Sequence, residues 1–259
     1  MTPEVPEAPP VLTIEEVVPE ARPWGAWATV GWSLLIMFAA LVAQVIALFV
    51  VGLVMAFSVV RIDFENVNAD GNLLAVAACA SGLAGIGFSI LFAAIRKGIT
   101  VKEYLGLRWP RGKEFAKYLG LLVALIAVSD GISLLLGKPI VPDFMIDTYQ
   151  SASWGLPLLA FAVLVTAPVS EEFFFRGFML EGLWRSRLGR IGAVIITAAV
   201  WAGIHVQYDW HGILMIFFGG LILGMARLKT GSLWLCVILH SIQNLIATVE
   251  MLVVLSRAG

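Results

Sequence analysis

Long apolar blocks separated by short polar stretches dominate the chain, and their length predicts its elements more directly than any residue-scale period does. A run of about 20 apolar residues predicts a helix across a bilayer, because hydrocarbon tolerates only backbones whose hydrogen bonds are closed within the segment. Seven such blocks are expected, at residues 32–60, 73–95, 118–136, 154–184, 191–206, 213–226 and 233–255. The fifth and sixth are shorter than a perpendicular span requires, and the first is long enough to tilt or to contain a re-entrant turn. The fold class is therefore all-α, a polytopic transmembrane helical bundle of about 7–8 spans. Residues 96–117 lie between the second and third blocks. Their seven basic residues, interleaved with Tyr104, Leu105, Leu107, Trp109 and Phe115, predict a segment lying along the membrane interface.

Composition agrees with this pattern. Of 259 residues, 60% are hydrophobic and only 14% charged, and the mean hydropathy of +0.93 excludes an ordinary soluble domain. A net charge of −1 offers no basic surface for nucleic acid, so the expected partners are the lipid bilayer and a membrane-associated substrate. Cys79 and Cys236 both fall inside apolar blocks and read as small buried hydrophobes. The chain divides into a Pro- and Glu-rich tail expected to be disordered (1–23), an N-terminal group of spans (24–150) and a C-terminal core (151–259). The tail lacks the basic start, apolar stretch and small-residue cleavage site of a signal peptide, so insertion is expected to rely on the first span. With seven spans, 13 of the 17 basic residues fall on the side of the 96–117 segment. That asymmetry predicts an N-in, C-out orientation.

Several ionisable groups interrupt the apolar blocks. Each costs about 2.5–3.5 kcal/mol at the centre of a spanning helix, so such groups tend to mark function. In the fourth block, Glu171 and Glu172 precede three phenylalanines and Arg176. Glu172 and Arg176 are four apart, share a helix face and can pair, whereas Glu171 points about 100° away without a local partner and is the freer base. His205 lies four residues after Trp201, and His240 four before Asn244. Counted from the basic ends of their helices, Glu171, His205 and Asn244 are 14, 15 and 13 residues in, which puts all three at about 20–22 Å. Their common depth favours chemistry over the commoner role of a lone histidine as a hydrogen-bonded core residue. Asp130, with Ser129 and Ser133, reads as a structural hydrogen-bonding residue or a proton relay. His211, beside Asp209, reads as solvated in a turn, and Gly82, Gly85, Gly219, Gly220 and Gly224 as close helix-packing positions.

Glu171-Glu172-x-x-x-Arg176, Trp201-x-x-x-His205 and His240-x-x-x-Asn244, in that order and in separate apolar helices, resemble the CPBP family (CAAX protease and bacteriocin-processing) of intramembrane endopeptidases. That family includes the type II CAAX prenyl proteases and the bacteriocin-immunity Abi proteins. The resemblance covers about residues 151–255, and Leu105-Gly106-Leu107-Arg108 is similar to the family's usual lead-in. Trp201 stands where the family usually has phenylalanine. The resemblance implies a glutamic endopeptidase in which Glu171 is the general base, assisted by His205. It also implies that His240 and Asn244 donate to the oxyanion, while Glu172 and Arg176 hold the helix and tune Glu171. The substrate it implies is a membrane-associated peptide or protein, of which a prenylated CAAX C-terminus is the best characterised.

No cofactor is expected. A divalent metal such as zinc is the rival mechanism, since two histidines and a glutamate can form a catalytic triad of ligands, although the HExxH helix is absent. A proton-coupled transporter is a second reading of the same intramembrane charges, and a noncatalytic scaffold or immunity protein of the same fold is a third. The expected location is the plasma (inner) membrane of a bacterium. The sequence specifies no oligomeric state.

Overall fold

The computed structural model describes residues 22–57 and 70–258. Most of the predicted tail and the far flank of the first span, including Arg61 and Asp63, lie outside the described residues. Among the described residues six helices are long and apolar enough to cross a membrane: α1 (Ala26–Ala56), α2 (Gly71–Ala94), α4 (Gly112–Leu135), α6 (Leu156–Leu183), α8 (Trp210–Thr230) and α9 (Leu233–Ala258). A shorter apolar helix, α7 (Gly189–Gly203), corresponds to the fifth predicted block. Two connecting helices, α3 (Val101–Leu105) and α5 (Asp143–Ser151), complete the described set. The chain is a multi-pass membrane protein and an all-α bundle.

α6 is the most enclosed span, packed by α2, α9, α1 and α7, while α1 rests on α2 and leaves most of its surface outward. Phe173, Phe174, Phe175 and Phe178 of α6 anchor the core. The basic turns gather at one end of the bundle. There the Gly106 carbonyl accepts from the Leu233 amide at 2.8 Å, the Arg108 carbonyl accepts from Ser232 Oγ, and Arg227 pairs with Glu181 at 3.3 Å. At the opposite end, Asn72 at the start of α2 accepts from the Gly155 amide at 2.7 Å, and Lys138 pairs with Asp209.

Within the 96–117 segment two of the interleaved apolar residues turn into the bundle. A Thr100–Glu103 capping box starts α3, and Tyr104 and Leu105 are fully buried against the α6 core. The chain then turns at Gly106, where φ is +69° and a Cβ would stand 2.4 Å from the Arg227 guanidinium. Only glycine meets both conditions without strain. Tyr104 and Leu105 thus plug the bundle, while Trp109 stays exposed.

α6 itself is irregular, with π-helical turns at Ala162–Thr166 and Phe173–Met179. The first follows from Pro168, two residues beyond it. The Ala167 amide bonds to the Ala162 carbonyl, five residues back. In the same register the Val163 carbonyl would need the amide hydrogen of residue 168, which proline lacks.

Candidate active site

Three elements bring ionisable groups to one level of the bundle: α6 supplies Glu171, Glu172 and Arg176, the end of α7 supplies Trp201 and His205, and α9 supplies His240 and Asn244. Glu172 and Arg176 make the (i, i+4) pair expected of them, Oε1 to the guanidinium at 2.8 Å, with both side chains fully buried. His240 joins them across the helices, its Nδ1 2.9 Å from the same Glu172 oxygen. Arg176 also donates to the Gly220 carbonyl at 3.4 Å. A carboxylate, a guanidinium and an imidazole therefore share one buried cluster, in which Glu172 Oε2 has no hydrogen-bond partner among the described residues.

Glu171 stands apart from this cluster, as its rotation on the helix requires, yet it is not free. The indole Nε1 of Trp201 donates to Glu171 Oε2 at 2.5 Å. The same ring lies 4.4 Å from the Arg176 guanidinium carbon and makes edge contacts with both His205 and His240, at centroid distances of 5.4 and 5.2 Å. One buried side chain touches four of the ionisable groups of the predicted site, Glu171, Arg176, His205 and His240. Spacing reveals Trp201 only as the residue four before His205; the indole nitrogen was the available clue, since a buried N–H needs an acceptor.

His205 lies just past the last turn of α7, with its Nδ1 2.7 Å from the Trp201 carbonyl. A carbonyl only accepts, so Nδ1 carries the hydrogen, and in the neutral ring Nε2 keeps its lone pair. Asn244 donates from Nδ2 to the Val163 carbonyl at 2.8 Å, which is the acceptor orphaned by Pro168. One amide hydrogen of Asn244 is therefore committed to α6 and the other is available for a ligand. Tyr208, absent from the sequence reading, has its ring 6.1 Å from that of His205. Burial and then the negative charge of Glu171 push its phenol up to about 12, so it keeps its proton and can donate.

Two cavities border the site, one lined by Glu171 and the other by Asn244 and Tyr208. A cavity of about 240 Å³ between α1, α2 and α6 is lined by Glu171, Ser170, Ala78, Ser81, Gly82 and Gly85. A larger one, about 460 Å³, is lined by Asn244 and Tyr208 at the end away from the basic turns. His211 lines this second cavity and is only 6% exposed, which corrects the expectation of a solvated turn residue. Asp209 caps α8 and turns the following histidine inward.

Among the described residues, no three His, Cys, Asp or Glu side chains converge as a metal ion would require. Glu171, His205 and His240 are each engaged at one atom, by the Trp201 indole, the Trp201 carbonyl and Glu172 respectively.

Residues 153–246 match the family described as type II CAAX prenyl endopeptidase, Rce1-like. An "Uncharacterized 24.3 kDa protein" of Escherichia coli is 34% identical over 144 residues, which are 52% of this chain and 60% of that protein. The matched part thus spans less than two thirds of this curated relative. No solved structure matches the chain.

Proposed function

We propose, for a multi-pass membrane protein whose residues 153–246 form a type II CAAX prenyl endopeptidase Rce1-like domain, that it hydrolyses a peptide bond of a membrane-associated substrate with a water activated by Glu171. Glu171 takes a proton from the water as the oxygen attacks the carbonyl carbon, and that proton is returned to the leaving amine. His205, with Nδ1–H fixed on the Trp201 carbonyl, offers Nε2 as an acceptor that orients the water. The free amide hydrogen of Asn244 donates to the developing oxyanion. His240 can join it only as the imidazolium, because its Nδ1–H is already held by Glu172 and donation from Nε2 requires a second hydrogen. Glu172 and Arg176 fix that ring and balance charge. With His240 protonated, two carboxylates and two cations sum to zero.

The observation that carries this reading is the Trp201 indole, in contact with Glu171, Arg176, His205 and His240 at once. A carboxylate that lines a cavity and is fixed by an indole in contact with two imidazoles suits water activation; a transport site would need the charges along a path. The location we propose is a bacterial plasma membrane, and the substrates are proteins anchored in it, prenylated CAAX-type C-termini among them. Comparing C-terminal peptides of membranes carrying wild-type or Glu171→Ala protein tests the reading. New C-termini are expected only with wild type, and identical sets at equal protein levels would remove it.

A further inference from the structure

The 460 Å³ cavity at the end away from the basic turns lies between α4, α8 and α9 and shares Asn244 with the candidate site. Asp130 of α4 and Glu250 of α9 both line it, close enough for their charges to interact. Neither has a hydrogen bond or ion pair among the described residues. Lys138 stands at the rim, but its ammonium is taken up by Asp209. Two further atoms belong to residues lining the cavity and lack partners: Nε2 of His211, a side chain 94% buried, and the buried Oε1 of Gln243. Every unsatisfied group here can accept a hydrogen bond. The two carboxylates and the Gln243 oxygen can only accept, and neutral His211 accepts at whichever nitrogen lacks hydrogen.

Acceptors left unpaired in a partly desolvated space are costly, and a ligand rich in N–H donors relieves that cost. No three of these side chains are disposed to hold a metal ion. An ammonium or guanidinium at the end of a flexible stem is the complementary group, and Asn244 on the same wall connects the cavity to the reacting carbonyl. Resting on the endopeptidase reading above, we propose that this cavity is a specificity pocket for a cationic side chain, arginine or lysine, of the peptide substrate near the bond that is cut. Asp130 and Glu250 hold its charge, and His211 and Gln243 accept its remaining hydrogens.

The test uses the full-length protein in nanodiscs and fluorescent lipid-anchored peptides. In these, one arginine is moved position by position along the sequence, each peptide being paired with a twin carrying uncharged citrulline. Cleavage and binding by fluorescence anisotropy are both measured. At one position the arginine peptide is expected to show a KM and a Kd about tenfold or more below those of its twin. Asp130→Asn, Glu250→Gln and the double variant should bring that ratio towards one. Equal cleavage and equal binding of all twins by wild type would overturn the pocket while leaving the endopeptidase intact. If no peptide is cut, the endopeptidase reading fails separately and anisotropy still decides the pocket. Arginine-selective binding lost in the double variant upholds it, and unselective binding overturns it. A preference that survives in all three variants also overturns it. Because the single variants are isosteric, one of them suffices should the double variant fail to fold.

Discussion

Replacing Trp201 by phenylalanine isolates the contact that distinguishes Glu171 from an unconstrained carboxylate. The phenyl ring retains most of the buried apolar body and its place between the two histidines, but the N–H that donates to Glu171 Oε2 is lost. A hydrogen bond to a charged group contributes about 1.5–3 kcal/mol. If that energy serves to orient the carboxylate, kcat should fall by about ten- to a hundredfold. Two effects bear on stability. The smaller ring leaves a void worth on the order of 1 kcal/mol, and the abandoned carboxylate borders an open cavity where water can replace the lost donor. Stability should therefore drop by only about 1 kcal/mol, and KM should stay within about twofold, because the indole contacts the base and not the bound peptide. Initial rates on a fluorescent membrane-anchored peptide, with thermal unfolding of the same preparation, separate the two effects. Wild-type kcat in Trp201→Phe, with Glu171→Ala inactive in the same assay, would refute the positioning role of the indole.

Three further outcomes follow from the geometry. Asn244→Ala leaves the Val163 carbonyl without its donor and should cost about 1–3 kcal/mol of stability. Pro168→Ala restores an amide hydrogen beside that carbonyl, so a double-mutant cycle should show the Asn244 cost reduced; additive costs would refute the link. Arg176→Met leaves the buried Glu172 with only the His240 ring as partner and should destabilise by about 3–5 kcal/mol, whereas adding Glu172→Gln should recover part of the loss, both read by thermal unfolding. Outside the spans, the hydrogen bond from Lys138, then that from the Gly212 amide, hold the Asp209 carboxyl below its ordinary value of 3.8. A depressed native value means that this stabilisation is complete above 3.8 and disappears as the pH falls through the lower value. Wild type should therefore lose more Tm than Asp209→Asn between about pH 6 and about pH 3, with the difference shrinking in high salt because the pair is exposed.

The spans were legible because a membrane imposes a length and a polarity that few sequences meet by accident. Each predicted block has its helix, including the short fifth one. The Glu172–Arg176 pair was legible for a similar reason, since helical spacing fixes which neighbours share a face. Contacts between helices were not. Nothing local announces that His240 reaches the same Glu172 oxygen, or that the Trp201 indole turns to Glu171. Pairing the Val163 carbonyl that Pro168 leaves orphaned with Asn244 required knowing that α9 lies alongside α6. His211 was misjudged for a definable reason: sequence position put it in a turn, whereas the Asp209 cap directs it inward. Tyr104 and Leu105 were misplaced because an apolar plug and an interfacial stripe have the same composition.

Single-turnover cleavage in H₂¹⁸O by wild-type and Glu171→Gln protein, matched for thermal stability, addresses the central claim most directly. The account predicts one ¹⁸O in the new C-terminal carboxylate of the wild-type product and a rate lower by at least about a thousandfold in Glu171→Gln. Cleavage by Glu171→Gln at the wild-type rate, or a product without the label, would contradict it.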